Sequence, residues 1–213
     1  MPIGVILLGY PKFLILYMDN LPYNKNLVGK FIAIGAENVV YSYNEGREVI
    51  KFPTFFSLRY NWNSQQYCKE IQDGYEMLKK YLPERLNKSN LHIYERSGKM
   101  TYLILEPFIH GKALSKNDLK NGDVKRQFLE IIAAKNQLES KENLFVDLFG
   151  SWGLWLSGRW KISNLLLDKQ NQKLYLVDIG TARINDGRFI IRILVRLAKR
   201  IQDNLLKKYL NYV

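Results

Sequence analysis

The fold is decided by the stretch Lys161-Ile-Ser-Asn164-Leu-Leu-Leu-Asp168 and its continuation Leu174-Tyr-Leu-Val-Asp178-Ile-Gly180. Two apolar runs flank a polar turn at 169–173, which is typical of a β-hairpin. Such a hairpin folds position 178 back beside position 164, so that an amide and a carboxylate converge. Taken singly, Asn and Asp at strand ends often serve only as turn residues. Together, in this order and spacing, they mark the hairpin as a candidate functional site.

Short β-like runs lie upstream of this hairpin and are separated by turn signals. They predict an antiparallel meander with one helix inserted after its third strand. The predicted strands cover 31–34, 39–43, 48–52, 91–95 and 101–105. Apolar residues spaced by three or four positions predict the helix, with Ser64 as its cap and Pro83 just after its end.

The second half of the sequence is predominantly helical in pattern. A capping-box spacing at 115–118 precedes one apolar stripe, and the chain closes on a long helix. The predicted buried stripe of this last helix comprises Ile190, Leu194, Leu197, Ile201 and Leu205. The sequence therefore predicts an α+β chain with a strand-rich first part and a mainly helical second part.

Three further motifs precede the hairpin. They are Ala33-Ile-Gly35-Ala-Glu-Asn38-Val-Val40, Val49-Ile-Lys51 and Tyr102-Leu-Ile-Leu105-Glu106-Pro-Phe108-Ile-His-Gly111. In this order, and together with the hairpin, they resemble the motifs of the protein-kinase-like superfamily over residues 30–183. The short chain is most similar to small bacterial members such as lipopolysaccharide kinases and their regulatory relatives.

This resemblance implies a two-lobed α+β fold. The N-lobe at 30–108 is expected to hold a five-stranded antiparallel sheet with one helix. The C-lobe at 109–213 is expected to be reduced and mainly helical, with the hairpin and a basic C-terminal helix. Residues 1–29 form an N-terminal extension, for which a β-hairpin around a Tyr-Pro-Lys turn is predicted.

The resemblance also implies a site for ATP. The backbone at Gly35 and Ala36 would cover the phosphates, because a glycine-rich loop can bring its N–H groups close to them. Lys51 would orient the phosphates and pair with a glutamate of the next helix, for which Glu70 is preferred and Glu76 is the alternative. An ordinary turn glycine and a solvated strand lysine are the competing interpretations.

The remaining implied contacts are those of adenine and the metal. Leu105 would be the gatekeeper of the hinge, and the main chain of Glu106 and Phe108 would contact adenine. Asn164 and Asp178 would hold Mg²⁺.

One departure from the family pattern concerns the catalytic base. The base aspartate is expected five residues before Asn164, and Arg159 stands there. An arginine stays protonated and cannot accept a proton, although with Lys161 it could hold phosphate. A general base commonly contributes about 10²–10⁴-fold to the rate. Asp147 would serve if the following loop turned it inward, and otherwise it caps a turn.

A second departure is the end of the chain, where only one long helix follows residue 183 and the family's peptide-docking platform is not recognisable. Residues 187–213 hold seven basic residues and one acidic residue, a net charge of +6 out of +12 for the chain. The basic helix at 188–208 suits an anionic membrane surface or a nucleic acid. The alternative is a helix that packs its apolar face and solvates its basic one. Tryptophans at 152, 155 and 160 are compatible with base stacking or with a core.

Composition sets wider limits on these hypotheses. The 213 residues are 47% hydrophobic and 24% charged, enough for one fold of one or two lobes that is neither disordered nor fibrous. A single cysteine, Cys68, excludes an internal disulfide and favours a reducing, cytoplasmic setting. With two histidines and one cysteine there is no cluster for structural zinc.

These features predict an atypical kinase-like phosphotransferase that uses ATP and Mg²⁺ to phosphorylate a hydroxyl acceptor. The alternative is a pseudokinase, which has the same fold and binds nucleotide without turnover. A third hypothesis, compatible with either, is binding to a nucleic acid or membrane surface through the basic helix.

Overall fold

The computed structural model of the chain describes residues 22–35, 37–55, 57–150, 162–178 and 180–211. Within these residues the first lobe is built on a five-stranded sheet in the order β1-β2-β3-β5-β4, in which all neighbours are antiparallel. The strands are β1 (Val28–Ile34), β2 (Asn38–Tyr43), β3 (Glu48–Pro53), β4 (Asn90–Arg96) and β5 (Lys99–Pro107). All five lie where the sequence predicts strands.

The turns of this sheet use residues that accept a left-handed backbone. Between β2 and β3, Asn44, Glu45 and Gly46 have φ of 52°, 60° and 84°. Between β4 and β5, Ser97 and Gly98 have φ of 50° and 72°. Glycine takes such angles without a Cβ penalty, so each hairpin closes tightly and sets the strand register.

Two helices, rather than the single one predicted, link β3 to β4. They are α1 (Leu58–Trp62) and α2 (Ser64–Tyr81). The Asn63 side chain caps α2 by accepting the Gln66 N–H at 3.0 Å, so the predicted cap at Ser64 is wrong by one residue. The Ser57 side chain caps α1. Five residues are too few to produce a periodic apolar pattern, which is why the sequence predicts no helix there.

The second lobe is mixed. Its elements are β6 (Gly111–Leu114), α3 (Gly122–Lys141), β7 (Leu144–Val146), β8 (Ile162–Asp168), β9 (Leu174–Leu176), β10 (Thr181–Arg183) and α4 (Phe189–Leu210). Strands β8 and β9 form the predicted hairpin, and β6 pairs with β8. Strands β7 and β10 pair with each other. The α+β class, with a five-stranded antiparallel first lobe and a helix-rich second part, is confirmed.

One apolar core joins the two lobes. It combines the buried face of α2 with side chains of α3, the β8–β9 hairpin and the end of α4. Tyr67, Phe128 and Leu165 are completely buried in it. A separate aromatic cluster covers the other face of the sheet, where Tyr23, just before β1, packs on Phe52 with ring centroids 5.3 Å apart. The cleft therefore opens on the face that α2 shares with the second lobe.

Helix α4 is rotated relative to the prediction. Its buried residues are Ile191, Val195, Ala198, Gln202, Leu205, Leu206 and Tyr209. Ile190 and Leu197, predicted to be buried, are 57% and 48% exposed. The reason is Gln202, whose side chain accepts the Leu148 N–H and donates to the Val146 carbonyl, both at 2.8 Å. A buried glutamine does not register as apolar, so the pattern selects the wrong face.

None of the helices in the described ranges is long and apolar enough to cross a lipid bilayer.

Candidate functional site

Lys51 lies on the inner face of the sheet and points into the cleft. Its ammonium group forms an ion pair with the Glu106 carboxylate of β5 and donates to the Val177 carbonyl beyond β9. The Lys51 and Glu106 side chains are only 12% and 2% exposed. A buried ammonium group requires an anionic partner, and Glu106 supplies it. The other Glu106 oxygen accepts the Asn87 amide at 2.6 Å.

Glu70 does not pair with Lys51, and this corrects the prediction. Its carboxylate is 2.7 Å from Arg59 Nη2 and 3.0 Å from Arg188 Nη2. Arg59 stands on α1, which the sequence did not predict, and its guanidinium reaches Glu70 from that helix. The alternative, Glu76, pairs with Lys79 at 3.1 Å on the surface. Neither glutamate of α2 therefore holds the lysine.

At the end of β5, the side chain that faces the cleft is one residue later than predicted. Leu105 packs in the aromatic cluster on the outer face of the sheet, whereas Glu106 and residues 107–109 line the cleft. Side chains alternate along a strand, so an error of one residue exchanges the two faces. The Phe108 N–H donates to the Arg47 carbonyl at 2.9 Å, so this amide is already engaged in the sheet. Leu105 is therefore not the side chain that faces the cleft, and Glu106 takes that place.

The predicted metal ligands are brought together by the hairpin and its continuation. Asn164 Nδ2 is 3.3 Å from Asp178 Oδ2 and donates to the Asp147 carbonyl at 2.8 Å. The other Asp178 oxygen accepts the Gly180 N–H at 2.9 Å. The Asn164 carbonyl in turn accepts the Val177 N–H at 3.0 Å, which fixes the two segments side by side.

Asp147 both caps a turn and faces the cleft. Its Oδ1 accepts the N–H groups of Phe149 and Gly150 at 2.9 and 3.1 Å. Burial, followed by the negative charges of Asp178 and Glu37, raises the pKa of Asp147 to about 7, although the two N–H groups oppose this shift.

Glu37, between β1 and β2, is a cleft residue that the sequence analysis did not single out. Its carboxylate lies 3.6 Å from Arg59 Nη1, and burial raises its pKa. A Cβ placed on Gly180 would come within 2.6 Å of Glu37 Oε2. The first loop thus reaches down to the Asp178 segment. The motif at 33–40 suggests a role for the Gly35 backbone, and nothing in its pattern marks the Glu37 side chain as a cleft residue.

The loop backbone itself is engaged within the hairpin. Gly35 N–H donates to the Asn38 carbonyl at 2.8 Å, and Asn38 Oδ1 accepts the Tyr102 hydroxyl at 2.8 Å. The predictions at Ala36, Arg159 and Lys161 lie outside the described residues.

These side chains line a cavity of about 780 Å³, within the usual size range of small-molecule sites. One wall is charged and includes Glu37, Lys51, Glu106, Asp147 and Asp178. The lining also includes apolar side chains, among them Phe145, Ala182 and the α4 residues Ile191, Leu194, Val195 and Ala198. No group of three or more His, Cys, Asp or Glu side chains in the described part of the chain is arranged to hold a metal.

Comparison with known proteins gives distant similarities only. No protein-family model matches the chain, and a search of curated proteins finds no match. Among solved structures, the kinase PK-1 of Cydia pomonella granulovirus is similar with a TM-score of 0.43 and 16% identity, over 76% of this chain and 54% of that one. The MAP kinase LmaMPK10 of Leishmania major is similar with a TM-score of 0.42 and 13% identity, over 71% and 45%. The chain thus spans about half the length of each kinase.

Proposed function

We propose that the chain is an atypical kinase-like phosphotransferase that binds ATP and Mg²⁺ in the cleft and transfers the γ-phosphoryl group to a hydroxyl acceptor. The observation that carries the proposal is the convergence of Lys51, Asn164 and Asp178 on one cavity. These residues come from sequence positions up to 127 apart and meet in the arrangement that the kinase resemblance implies.

The residues fit Mg²⁺ by their chemistry. Asp178 offers carboxylate oxygens, and Mg²⁺ is commonly held by one or two such groups together with water and phosphate. Asn164 would offer its amide oxygen after rotation of the amide group, because its Nδ2 donates to Asp178 and to the Asp147 carbonyl. When bound, the metal would neutralise negative charge on the phosphates.

Lys51 is suited to contact the phosphates. An ammonium group has three donors, and Glu106 and the Val177 carbonyl engage two of them. The described residues supply no partner for the third, which can therefore bind an anion in the cleft. Glu106 thus orients Lys51, a role that the family resemblance assigned to Glu70.

Asp147 is the residue best suited to accept the proton of the acceptor hydroxyl. A general base works best when its pKa lies near the operating pH, and the pKa of Asp147 is raised to about 7. Its Oδ1 is held by two backbone N–H groups. The second oxygen can therefore take the proton as the hydroxyl oxygen bonds to phosphorus and ADP leaves. Asp147 compensates for the arginine at 159.

A second candidate function is a nucleotide-binding module without turnover. It is favoured by the packing of the Glu37 carboxylate against Gly180, next to Asp178, because this places a negative charge beside the phosphate and metal ligands. Glu37 would then have to move for ATP to bind productively.

The two functions are distinguished by thermal-shift titration of the full chain with ATP, with and without Mg²⁺, while ADP release is followed in the presence of candidate hydroxyl acceptors. Ligand at 100 times Kd stabilises a protein by about 2.7 kcal/mol. We expect a Mg²⁺-dependent shift that is lost in Lys51→Met and Asp178→Asn. The matched control Lys88→Met, an exposed lysine outside the cleft, should behave as wild type.

Three outcomes are informative. A shift with ADP release supports the phosphotransferase. A shift without ADP release under any condition supports the binding module. No shift at any concentration overturns both.

A further inference from the structure

The outer face of α4 is unusually apolar for a surface helix. Phe189, Ile190, Ile193 and Leu197 are 65%, 57%, 48% and 48% exposed. They lie on the side of the helix away from its buried face and cover its first two turns. Large aliphatic side chains are rarely clustered in this way on a surface that contacts only water.

Basic residues surround this apolar group. Helix α4 holds six basic residues and one acidic residue, a net charge of +5. The acid, Asp203, is engaged with Lys135 at 2.9 Å and with Lys199 at 2.5 Å. Lys199 also pairs with Glu139 at 2.9 Å. The outward positive charge therefore comes from Arg192, Arg196, Arg200, Lys207 and Lys208.

The face is fixed on the body of the protein. Ile191, Val195 and Ala198 pack with Phe145, and Gln202 is held by two hydrogen bonds to the segment after β7. The helix is therefore already formed and oriented, and binding through its outer face requires no folding step. It does not have the apolar length to span a bilayer, so it would lie along a surface.

We propose that the outer face of α4 docks the chain on an anionic phospholipid bilayer. Phe189, Ile190, Ile193 and Leu197 enter the boundary between headgroups and acyl chains, and the arginines contact lipid phosphates. A helix with apolar residues on one side and basic residues beside them is suited to this position. Charge complementarity selects the anionic surface. Nucleic acid is disfavoured because exposed isoleucine and leucine contribute nothing to phosphate contact or to base stacking.

The test is flotation of the full chain with vesicles of phosphatidylcholine containing about one third phosphatidylglycerol, against vesicles of phosphatidylcholine alone. We expect binding to the anionic vesicles only. Each basic residue near an anionic surface contributes about fivefold, so Arg196→Gln with Arg200→Gln should weaken binding about 30-fold. Phe189→Ser with Ile193→Ser should weaken it about tenfold or more. All positions are on the surface, so folding is checked by circular dichroism.

Matched controls remove the same kinds of side chain, two exposed charges or two exposed apolar groups, at surface positions outside α4. Lys69→Gln with Lys88→Gln removes two exposed charges outside α4, and Trp62→Ser with Leu129→Ser removes two exposed apolar side chains. Both should bind as wild type. The proposal is overturned if the controls lose as much as the α4 variants, or if the anionic vesicles do not bind. It is also overturned if a duplex oligonucleotide binds more tightly and Phe189→Ser with Ile193→Ser leaves that binding intact, or if sedimentation shows that the face is covered in a dimer.

Discussion

Two ion-paired carboxylates near the cleft differ in the donors around them. Glu106 has Lys51 and the Asn87 amide, and the described part of the chain leaves one donor of that lysine for the cleft. Glu70 is saturated by Arg59, Arg188 and the Gln66 amide, the last at 2.9 Å. Because Arg59 also donates to the Thr181 carbonyl at 2.8 Å, the Glu70 cluster joins α1, α2, β10 and the start of α4. The comparison indicates that Glu106 serves the site and Glu70 serves the fold.

The largest expected effect concerns proton acceptance by Asp147, which belongs to neither ion pair. Asp147→Asn should lower kcat by about 10²–10⁴-fold with ATP affinity unchanged, because the amide cannot accept the hydroxyl proton. The wild-type rate should rise with pH as Asp147 ionises, and the variant should lack this rise. Steady-state kinetics across pH 5.5–8.5 measures both. An unchanged pH profile would remove Asp147 from the mechanism.

The same residue gives a stability test with a defined sign. The pKa of Asp147 is raised from 3.8 to about 7 in the folded state, so between these values the folded chain binds more protons than the unfolded chain. Stability should therefore fall as the pH rises through this window. In Asp147→Asn this contribution should be absent, so the difference in Tm between the two proteins should change across the window. Equal Tm changes would contradict the raised pKa.

Breaking the Glu106 pair should affect both the fold and the site. Lys51→Met leaves a buried carboxylate with only the Asn87 amide, which should cost about 3–5 kcal/mol of unfolding free energy and abolish ATP binding. The double variant Lys51→Met with Glu106→Gln removes the unpaired charge. It should regain most of the stability and none of the ATP binding. Urea unfolding and calorimetric titration give the two quantities, and recovery of ATP binding would exclude a role for Lys51.

Breaking the Glu70 cluster should affect the fold alone. In Glu70→Gln, Arg188 keeps Asp186 at 2.5 Å and Arg59 keeps the Thr181 carbonyl, so the loss should be about 1–3 kcal/mol. ATP affinity should not change. If ATP affinity fell as in Lys51→Met, the division between the two carboxylates would be wrong.

The smallest expected effect tests the contact between the first loop and the Asp178 segment. In Gly180→Ala the new Cβ would lie 2.6 Å from Glu37 Oε2 and 3.2 Å from Asp178 Oδ1. The Glu37 carboxylate is the end of a flexible side chain and can move, so the cost should be about 1 kcal/mol. Most of the cost should vanish in a Glu37→Ala background, which leaves only the Asp178 contact. A double-mutant cycle by urea unfolding measures this coupling, and additive effects would show that the two positions do not touch.

The strands of the first lobe and the β8–β9 hairpin could be predicted because their apolar runs and turn residues are local signals. The hairpin also predicted that Asn164 and Asp178 would converge. The short helix α1 could not be predicted, and with it the position of Arg59 was missed. The partner of Glu70 depends on that helix, so no spacing within α2 could identify it.

The other errors concern which face of a strand or helix is buried, not where that strand or helix lies in the sequence. On β5 a shift of one residue exchanged Leu105 for Glu106, because an apolar run without alternation does not reveal which side is buried. On α4 a buried glutamine was invisible to an apolar pattern. For Asp147 the sequence leaves a turn cap and a general base as alternatives. Only the fold shows that one carboxylate does the first with Oδ1 while facing the cleft.

The hydrogen bonds of Gln202 have a consequence for hydrogen exchange. The Leu148 amide, next to Asp147, is protected by a side chain that belongs to α4 and lies 54 positions later in the sequence. The Gln202 side chain reaches this amide only while α4 keeps its place, so exchange of the Leu148 amide is coupled to the opening of α4. A ligand that holds α4 in place would therefore also slow exchange at Leu148.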